Sequence, residues 1–280
     1  MAITTFSLSA PAKINLCLLI SGRRSDGYHN LQTAFQLLDI CDTLRFELSD
    51  DLNVNSTIDL PLETNLVYRA AKLLQDFSGT QQGATIHLNK SLPMGAGLGG
   101  GSSDAATALL GLNRLWGLDI PVDELMQLGR QLGADVPVFV FAHSAWGEGI
   151  GEVLTPLRLE KSYYLIISPD CHVDTGRIFS HTDLTRDSST ITIARFLEHG
   201  ARNDCESIVR QLYPEVDEAL LWLNKWGPAK MTGTGSCVFL AFDSRLDAER
   251  VAGEVPERWS TFVAEGLNKS PVVSELAQLN

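Results

Sequence analysis

The chain of 280 residues lacks the features that mark secreted, membrane-spanning or zinc-binding proteins. Its five cysteines include no CxxC pair, which argues against a disulfide framework or a zinc cluster and indicates a reducing compartment. No stretch approaches the roughly 20 apolar residues that cross a bilayer, and the N-terminus lacks the basic and apolar regions of a secretory signal. A soluble cytoplasmic protein is therefore expected.

Positive charge is also scarce. The 22 Lys and Arg residues stand against 34 Asp and Glu residues, so the formal net charge is −12. This acidity disfavours broad electrostatic binding to nucleic acid or to an anionic membrane. Any anionic ligand must therefore be held by a local site. The length suits one large domain or two modest ones.

Glycine, in contrast, is concentrated in one segment, PMGAGLGGGSSDAA at positions 93–106. Glycines allow the backbone to adopt positive φ and to approach a ligand closely. Apolar spacing predicts a helix over 104–116, with Ser102 or Ser103 as its N-cap. The free N–H groups and the dipole of a helix N-terminus favour an anion. We therefore expect a phosphate-binding loop here, with a purely structural turn as the alternative.

Three better-known glycine-rich loops lack their context in this chain. Gly95, Gly97 and Gly100 satisfy the bare GxGxxG spacing of a dinucleotide-binding turn. However, Asp119, at about the required distance, has no apolar strand before it. No Lys-Ser or Lys-Thr pair follows the last glycine, as a P-loop requires, and the HRD and DFG elements of protein kinases are absent. The segment therefore indicates a phosphate site of another class.

Strand-like and helix-like segments are interleaved along the chain, which favours the α+β class over a pure parallel sheet. Alternating apolar residues predict a strand over 12–20, and helical spacing predicts a helix over 65–77. The continuously apolar run Val136–Phe141 predicts a short buried strand. A boundary is expected within 152–162, which would divide the chain into two domains.

Two charged residues outside the glycine segment could carry chemistry. Lys13 alternates with the apolar residues of its strand, and an ammonium buried without a partner is very costly. A solvated strand edge is the simpler interpretation of Lys13 taken alone. Asp135 directly precedes the run Val136–Phe141, so it is either a capping or turn residue or a catalytic carboxylate.

Three other features could belong to a binding cleft. Tyr28 and His29 follow an Asp-Gly turn and could offer a nucleobase an aromatic face and a hydrogen-bonding edge, with plain packing as the alternative. The TGTGS segment at 232–236 would either line the cleft or form a tight turn. Asp104 is either a metal ligand or, as we prefer, a carboxylate that complements the helix dipole.

The motifs PAKINL, DGYH, PMGAGLGGGSSDAA, LGADVPVF and MTGTGSCVF occur in the order found in the GHMP kinases. The chain resembles that family over nearly its whole length. The resemblance implies two α+β domains, with residues 1–155 binding ATP, residues 156–280 contributing to the substrate cleft, and the active site between them. It also implies ATP-dependent phosphorylation of a small-molecule alcohol, with Mg²⁺ as the partner of ATP.

Within the family, the triple glycine and the DGYH turn resemble one branch. The resemblance implies a substrate that carries a cytidine diphosphate group, phosphorylated at the tertiary 2-hydroxyl of its methylerythritol unit, on the non-mevalonate route to isoprenoid precursors. Lys13 and Asp135 match the catalytic pair, with Asp135 as the acceptor of the hydroxyl proton. The substrate side is matched by Asn15, Tyr28, His29 and Phe179. The positions that match the ATP site are Asn65, Pro93, Met94, Gly95, Ala96, Gly97, Leu98, Gly99, Gly100, Gly101, Ser102 and Ser103.

The expected partner is thus a small molecule rather than nucleic acid or a membrane, and the expected state is a monomer or weak homodimer. The sequence assigns no ligands to the magnesium ion. Two alternatives stay open. The chain could phosphorylate homoserine or mevalonate, which lack the nucleobase that DGYH would recognise. It could also be a catalytically silent nucleotide or metabolite sensor, although such a protein would not need both Lys13 and Asp135.

Overall fold

The computed structural model describes residues 4–58 and 60–279. Its two longest strands are antiparallel to each other. The first, β1 (Thr5–Arg23), pairs with the second, β2 (His29–Ser49), over almost their full lengths. The strand predicted over 12–20 lies within β1 and is confirmed.

Strands and helices are interspersed along the rest of the described chain. The other strands are β3 (Leu52–Ser56), β4 (Gly83–Asn89), β5 (Ala145–Glu148), β6 (Val153–Pro156), β7 (Tyr163–Ser168), β8 (Lys230–Met231), β9 (Val238–Phe242) and β10 (Ser260–Leu267). The helices are α1 (Leu66–Ser78), α2 (Gly100–Leu115), α3 (Val122–Leu132), α4 (Val136–Phe141), α5 (Thr175–Ser180), α6 (Ile193–His199), α7 (Glu206–Leu212), α8 (Pro214–Leu223), α9 (Arg245–Ala252) and α10 (Pro271–Gln278).

The strands join into one sheet with the order β3-β4-β2-β10-β7-β9-β8. Outside this path, β1 pairs with β2, and β5 pairs with both β2 and β6. The strand β10 is antiparallel to both of its neighbours: Gly266 and Leu267 pair with β2, and the preceding residues pair with β7. Only β3 and β4 pair in parallel among the described strands. Mostly antiparallel strands with interspersed helices confirm the α+β class.

Two large hydrophobic cores lie along this sheet, and β1 contributes to both. Leu8 packs into the first core with residues of α1 to α4, and Ile20 packs into the second with residues of α7 and α8. A third cluster that includes Ile14 lies between them. The middle of β1, where Lys13 lies, is therefore at the junction of the two halves of the molecule.

The apolar run Val136–Phe141 forms the helix α4, so the predicted strand is wrong. A continuous apolar run has no periodicity that distinguishes a buried strand from a buried helix. This helix packs against α2 and α3 and is buried over most of its surface. Pro137 in its first turn is the signal that could have revealed it, because proline suits that position.

The five cysteines all carry free thiols. Burial raises the pKa of Cys17, Cys205 and Cys237 to about 12. These three thiols therefore act as small apolar side chains in the cores. Within residues 4–58 and 60–279, no helix is long and apolar enough to cross a bilayer.

Candidate active site

The glycine-rich segment forms a loop between β4 and α2. Gly95, Gly97 and Gly99 have left-handed φ values of 66°, 80° and 73°. A Cβ atom on Gly97 would lie 2.9 Å from the carbonyl oxygens of both Thr232 and Gly235. Only glycine therefore fits where this loop meets the TGTGS segment.

The helix α2 begins directly at the end of the loop. Its N-cap is Gly99, and its first hydrogen bond runs from Ser103 N to Gly99 O at 2.8 Å. Ser102 and Ser103 lie within the first turn, so the prediction that one of them is the N-cap is wrong. A left-handed glycine replaces the side-chain cap. The N–H groups of Gly100, Gly101 and Ser102 precede the first helical bond and form an end that suits an anion.

Lys13 and Asp135 meet beside this loop. Lys13 Nζ lies 3.0 Å from Asp135 Oδ2, and the side chains are 3% and 35% exposed. The same ammonium donates to Asn15 Oδ1 at 2.8 Å and to Gly97 O at 3.2 Å. Its three N–H donors thus have three partners. The interpretation of Lys13 as a solvated strand edge is therefore wrong.

Irregular pairing between β1 and β2 directs Lys13 into the site. The register shifts between Pro11 and Lys13 and again between Asn15 and Cys17. Bulges of this kind bend a strand and change the direction of its side chains. Lys13 N donates to Leu98 O at 2.9 Å, which fastens the strand to the glycine loop.

Asp135 lies between α3 and α4, with φ and ψ of −87° and −11°. Its carboxylate makes no capping hydrogen bond to α4. Asp135 therefore occupies the N-cap position, within a turn, without capping α4 through its side chain, and its catalytic role stays a prediction. The carboxylate instead pairs with Lys13, and its partial exposure leaves it accessible from the cleft.

A cavity of about 420 Å³ opens in front of the Lys13 and Asp135 pair. Residues from both halves of the chain line it, including Gly233, Thr234 and Gly235 of the TGTGS segment. This segment also forms a tight turn, in which Gly235 N donates to Thr232 O at 2.9 Å, so both interpretations of it hold. Asp135 is the only carboxylate among its described lining residues. The predicted site residues in its wall are Lys13, Asn15, Pro93, Gly95, Ala96, Gly97, Gly99, Gly100, Gly101, Ser102, Asp135 and Phe179.

Thr232 connects the two loops of the cleft. Its Oγ1 accepts a hydrogen bond from Asn15 N at 2.9 Å and donates to Gly97 O at 3.3 Å. Asn15 Nδ2 in turn donates to Thr33 Oγ1 at 2.8 Å. Asn15, which is predicted to lie on the substrate side, is therefore held by hydrogen bonds next to Lys13. Thr232, the first residue of the TGTGS segment, is a positioning residue.

A second cavity of about 240 Å³ lies on the other side of the glycine loop and shares Gly95 and Gly101 with the first. Asn65 and Met94 line it, which places these two predicted ATP-site residues together. Asn65 is buried and caps α1 by accepting from Val67 N at 2.9 Å, whereas Met94 is 63% exposed. The remaining described residues of its wall are Ile58, Leu60, Thr64, Leu66, Val67, Leu88, Lys90 and Asp104.

Two predicted residues of the glycine segment are fully buried. Leu98 belongs to the third hydrophobic cluster, the one that includes Ile14, so its side chain anchors the loop to that cluster. Ser103 is also fully buried, and its Oγ has no hydrogen-bond partner among the described residues. These positions maintain the shape of the loop and its junction with α2.

Of the predicted base-recognising residues, Phe179 lines the first cavity, whereas Tyr28 and His29 are not among its lining residues. The rings of His29 and Phe179 stack, with centroids 5.2 Å apart and planes inclined by 30°. His29 is buried, whereas Tyr28 is 58% exposed in the turn between β1 and β2. Phe179 thus packs against His29, and Tyr28 projects at the surface beside them.

Asp104 belongs to a buried ion-pair cluster that the sequence did not reveal. Lys90 Nζ lies 2.7 Å from Asp104 Oδ2 and also pairs with Asp42, which is fully buried. Asp104 lies beyond the first turn of α2, so the preferred interpretation as a partner of the helix dipole is wrong. Burial raises the pKa of Asp104 to about 7, the Lys90 charge opposes this shift, and the Asp42 charge adds to it.

The variant Asp104→Asn is expected to change how stability depends on pH. The folded-state pKa of Asp104, about 7, lies above the unfolded value of about 3.9. The folded chain therefore holds an extra proton between these values, and the free energy of unfolding falls as the pH rises from about 4 to about 7. The asparagine side chain does not titrate, so the free energy of unfolding of the variant does not fall in this way. The difference in free energy of unfolding, variant minus parent, should therefore increase by about 1 to 3 kcal/mol from about pH 5 to about pH 8.

Urea unfolding of both proteins across this pH range measures the difference. Asp76→Asn is the matched control, because the Asp76 carboxylate is 63% exposed on α1. The plot of its free energy of unfolding against pH should stay parallel to that of the parent. An equally parallel curve for Asp104→Asn would show that Asp104 does not titrate with a raised pKa.

Within the described part of the chain, no three His, Cys, Asp or Glu side chains are grouped so that they could hold a metal ion. The site therefore contains no all-protein metal cage in residues 4–58 and 60–279. Mg²⁺ sites in phosphoryl-transfer enzymes commonly use phosphate oxygens and water with only one or two carboxylates. The donor set of this cleft fits an ion of that kind.

Two family models match the chain. The GHMP kinases N terminal domain matches residues 65–143, and the GHMP kinases C terminal domain matches residues 184–261. The first range contains the glycine loop and Asp135, and the second contains the TGTGS segment. Together the two models cover more than half of the chain.

Curated relatives match over the full length. The chain is 50% identical over 281 residues to the 4-diphosphocytidyl-2-C-methyl-D-erythritol kinase of Marinomonas sp., covering 99% of this chain and 92% of that protein. It is 52% identical over 275 residues to the protein of the same name from Chromohalobacter salexigens, covering 95% and 92%.

Solved structures agree with these matches. A crystal structure of 4-(cytidine 5'-diphospho)-2C-methyl-D-erythritol kinase superposes with a TM-score of 0.83 at 32% identity, covering 93% of this chain and 99% of that one. Homoserine kinase from Cytophaga hutchinsonii shares the fold, with a TM-score of 0.67 at 17% identity and 96% coverage of both chains. The chain therefore belongs to the GHMP kinases, in the family of the 4-diphosphocytidyl-2-C-methyl-D-erythritol kinases.

Proposed function

We propose that this chain is an ATP-dependent kinase that phosphorylates the 2-hydroxyl of 4-diphosphocytidyl-2-C-methyl-D-erythritol, a step of non-mevalonate isoprenoid precursor biosynthesis. The observation that carries the proposal is the ion pair of Lys13 Nζ and Asp135 Oδ2, 3.0 Å apart, beside a glycine loop at a helix N-terminus. Relatives of that name at about 50% identity over the whole chain support the choice of substrate.

Asp135 is the general base in this proposal. Its carboxylate is the only one among the described residues that line the larger cavity, and it is open to the cleft. It accepts the proton of the acceptor hydroxyl as the new oxygen–phosphorus bond forms and the bond between the γ-phosphorus and the bridging oxygen of ATP breaks, with ADP as the leaving group. A positioned base of this kind typically contributes a factor of about 10² to 10⁴ to the rate.

Lys13 stabilises charge and fixes geometry. Its buried ammonium pairs with the Asp135 carboxylate and lies within reach of the glycine loop, where negative charge develops during transfer. Because Asn15 and Gly97 hold the same ammonium, the lysine needs no rearrangement to act. Phosphoryl transfer depends mainly on such positioning and electrostatic stabilisation.

The glycine loop and the second cavity together suit ATP. The N–H groups of Gly100, Gly101 and Ser102 would hold the phosphates. The cavity on the other side of the loop, lined by Asn65 and Met94, would take the base. ATP would then pass over the loop with its transferable phosphate directed towards the first cavity.

Magnesium is the ion expected with ATP, and it supplies charge neutralisation on the phosphates. With no group of three potential ligand side chains in the described residues, we infer that phosphate oxygens provide most of its ligands. We assign Asp135 to the proton rather than to the ion, because its nearest partner is the ammonium of Lys13.

The acceptor would occupy the larger cavity, with its cytosine base towards Tyr28, His29 and Phe179. In this arrangement, residues 1–155 bind ATP and carry the catalytic pair, and residues 156–280 complete the acceptor side. A cytoplasmic location and a monomeric or weakly dimeric state stay predictions from the sequence.

A substrate comparison tests the function. ADP formation is measured with ATP, Mg²⁺ and one of three alcohols: the cytidine diphosphate methylerythritol compound, homoserine or mevalonate. We expect substrate-dependent ADP with the cytidine compound alone. ADP with homoserine or mevalonate instead would reassign the substrate within the family, and no ADP with any alcohol would favour a nucleotide or metabolite sensor.

A further inference from the structure

Arg186 donates several hydrogen bonds around Phe179, a lining residue of the larger cavity. Its Nε donates to His29 Nε2 at 3.1 Å, and one terminal nitrogen donates to Leu184 O at 3.1 Å. The other terminal nitrogen donates to Phe179 O and to His181 O, both at 2.8 Å. One guanidinium therefore connects the start of β2 with the end of α5.

The bond to His29 determines where the proton of that ring lies. A guanidinium is always charged and has donors only, so the Nε2 atom that faces it must be an acceptor. His29 is then neutral, with its proton on Nδ1. In agreement, burial lowers the pKa of His29, and the charges of Arg186 and Arg23 lower it further.

The same guanidinium fixes the neighbouring aromatic ring. Phe179 is in the last turn of α5, and its carbonyl and that of His181 are oriented towards Arg186. The Phe179 ring stacks on His29 at 5.2 Å between centroids. Arg186 thus holds both members of the stacked pair, one through its ring nitrogen and the other through its backbone.

The segment that carries Arg186 is itself anchored to β1. Ser188 N donates to Ile20 O at 3.0 Å, and Ser188 Oγ donates to Asp204 Oδ2 at 2.6 Å. Asp204 Oδ2 also accepts from Ile20 N at 2.8 Å. The guanidinium therefore extends from a fixed backbone rather than from a free loop.

We propose that Arg186 is a positioning residue for recognition of the pyrimidine base of the substrate. It holds His29 as the neutral Nδ1–H form and holds Phe179 against it, so that both rings are in place before the base arrives. This inference rests on the proposed function, because it assigns the part of the cavity that Phe179 lines to the cytidine group.

The variants Arg186→Met and Arg186→Lys test this role, with Arg23→Met as the matched control. Arg23 also lies near His29 and lowers its pKa, but as a charge without a hydrogen bond to the ring. Arg186→Met should raise KM for the cytidine substrate by about tenfold or more, with kcat and KM for ATP within about twofold of the parent. Arg186→Lys keeps the charge without the planar set of guanidinium N–H donors, and it should raise KM for the cytidine substrate by an intermediate amount. Arg23→Met should change KM by less than about threefold.

Nitrogen-15 NMR of His29 gives a readout that does not depend on the substrate. The parent and Arg23→Met should show the proton on Nδ1, and Arg186→Met should show Nε2–H populated. An unchanged KM in folded Arg186→Met, or an unchanged tautomer, would overturn the proposal. A fall in kcat together with a rise in KM for ATP would also overturn it, since these changes indicate a general structural role. If the parent forms no ADP with the cytidine compound, the proposed function fails first, and the inference fails with it.

Discussion

Asp135→Asn should lower kcat by about 10² to 10⁴ while the affinity for the cytidine substrate changes little. The amide keeps the shape of the side chain and can still accept a hydrogen bond from the substrate hydroxyl. It cannot take the proton, so the transition state loses the stabilisation that the base provides, whereas binding of the substrate in the ground state is weakened little. Steady-state kinetics together with calorimetric titration of the cytidine substrate separates these two effects.

The matched control for this variant is Asp123→Asn, which alters an exposed carboxylate near the start of α3. Its kcat should equal that of the parent. Near-normal turnover in Asp135→Asn, with the cytidine substrate still bound, would show that Asp135 is not the base. A loss of substrate affinity as large as the loss in kcat would point to misfolding of the cleft instead.

Lys13→Met should lower kcat by about 10² to 10³, because it removes a buried positive charge from the place where negative charge develops. Methionine fills much of the same volume, so the adjacent packing is largely preserved. The carboxylate of Asp135 loses its only ion-pair partner among the described residues, and Asn15 and Gly97 lose a donor. Single-turnover measurements with saturating ATP report the chemical step directly.

Lys72→Met provides the comparison for this experiment. Lys72 pairs with Asp76 at 2.9 Å, nearly the distance of the Lys13 pair, but both side chains are more than half exposed on α1. Surface pairs of this kind contribute roughly 0 to 1 kcal/mol. Its kcat should match that of the parent. If Lys13→Met were also as active as the parent, the ion pair would serve the fold rather than the reaction.

The features that the sequence predicted correctly are those that depend on short, local patterns of residues. Alternating apolar residues indicated the strand that carries Lys13, and clustered glycines before a helical pattern indicated the loop that leads into α2. The ordered motifs then identified the family and, through it, the substrate class. Each of these signals lies within a few residues of the feature that it describes.

The features that sequence missed depend on contacts between distant segments. Asp42, Lys90 and Asp104 form one buried cluster although 48 residues separate Asp42 from Lys90 and 14 separate Lys90 from Asp104. Arg186 and His29 are separated by more than half of the chain and meet only through the fold. The helix α4 was missed for another reason: its apolar residues are buried on nearly every side, which removes the periodicity that distinguishes helix from strand.

The two long strands that cross both cores restrict how the enzyme can move during its cycle. Leu8 and Ile20 lie on one continuous strand yet belong to different cores, so the halves of the molecule cannot swing as separate rigid bodies. Lys13 Nζ and Asp135 Oδ2 already lie 3.0 Å apart in the folded chain, so the energetic cost of aligning them is met during folding.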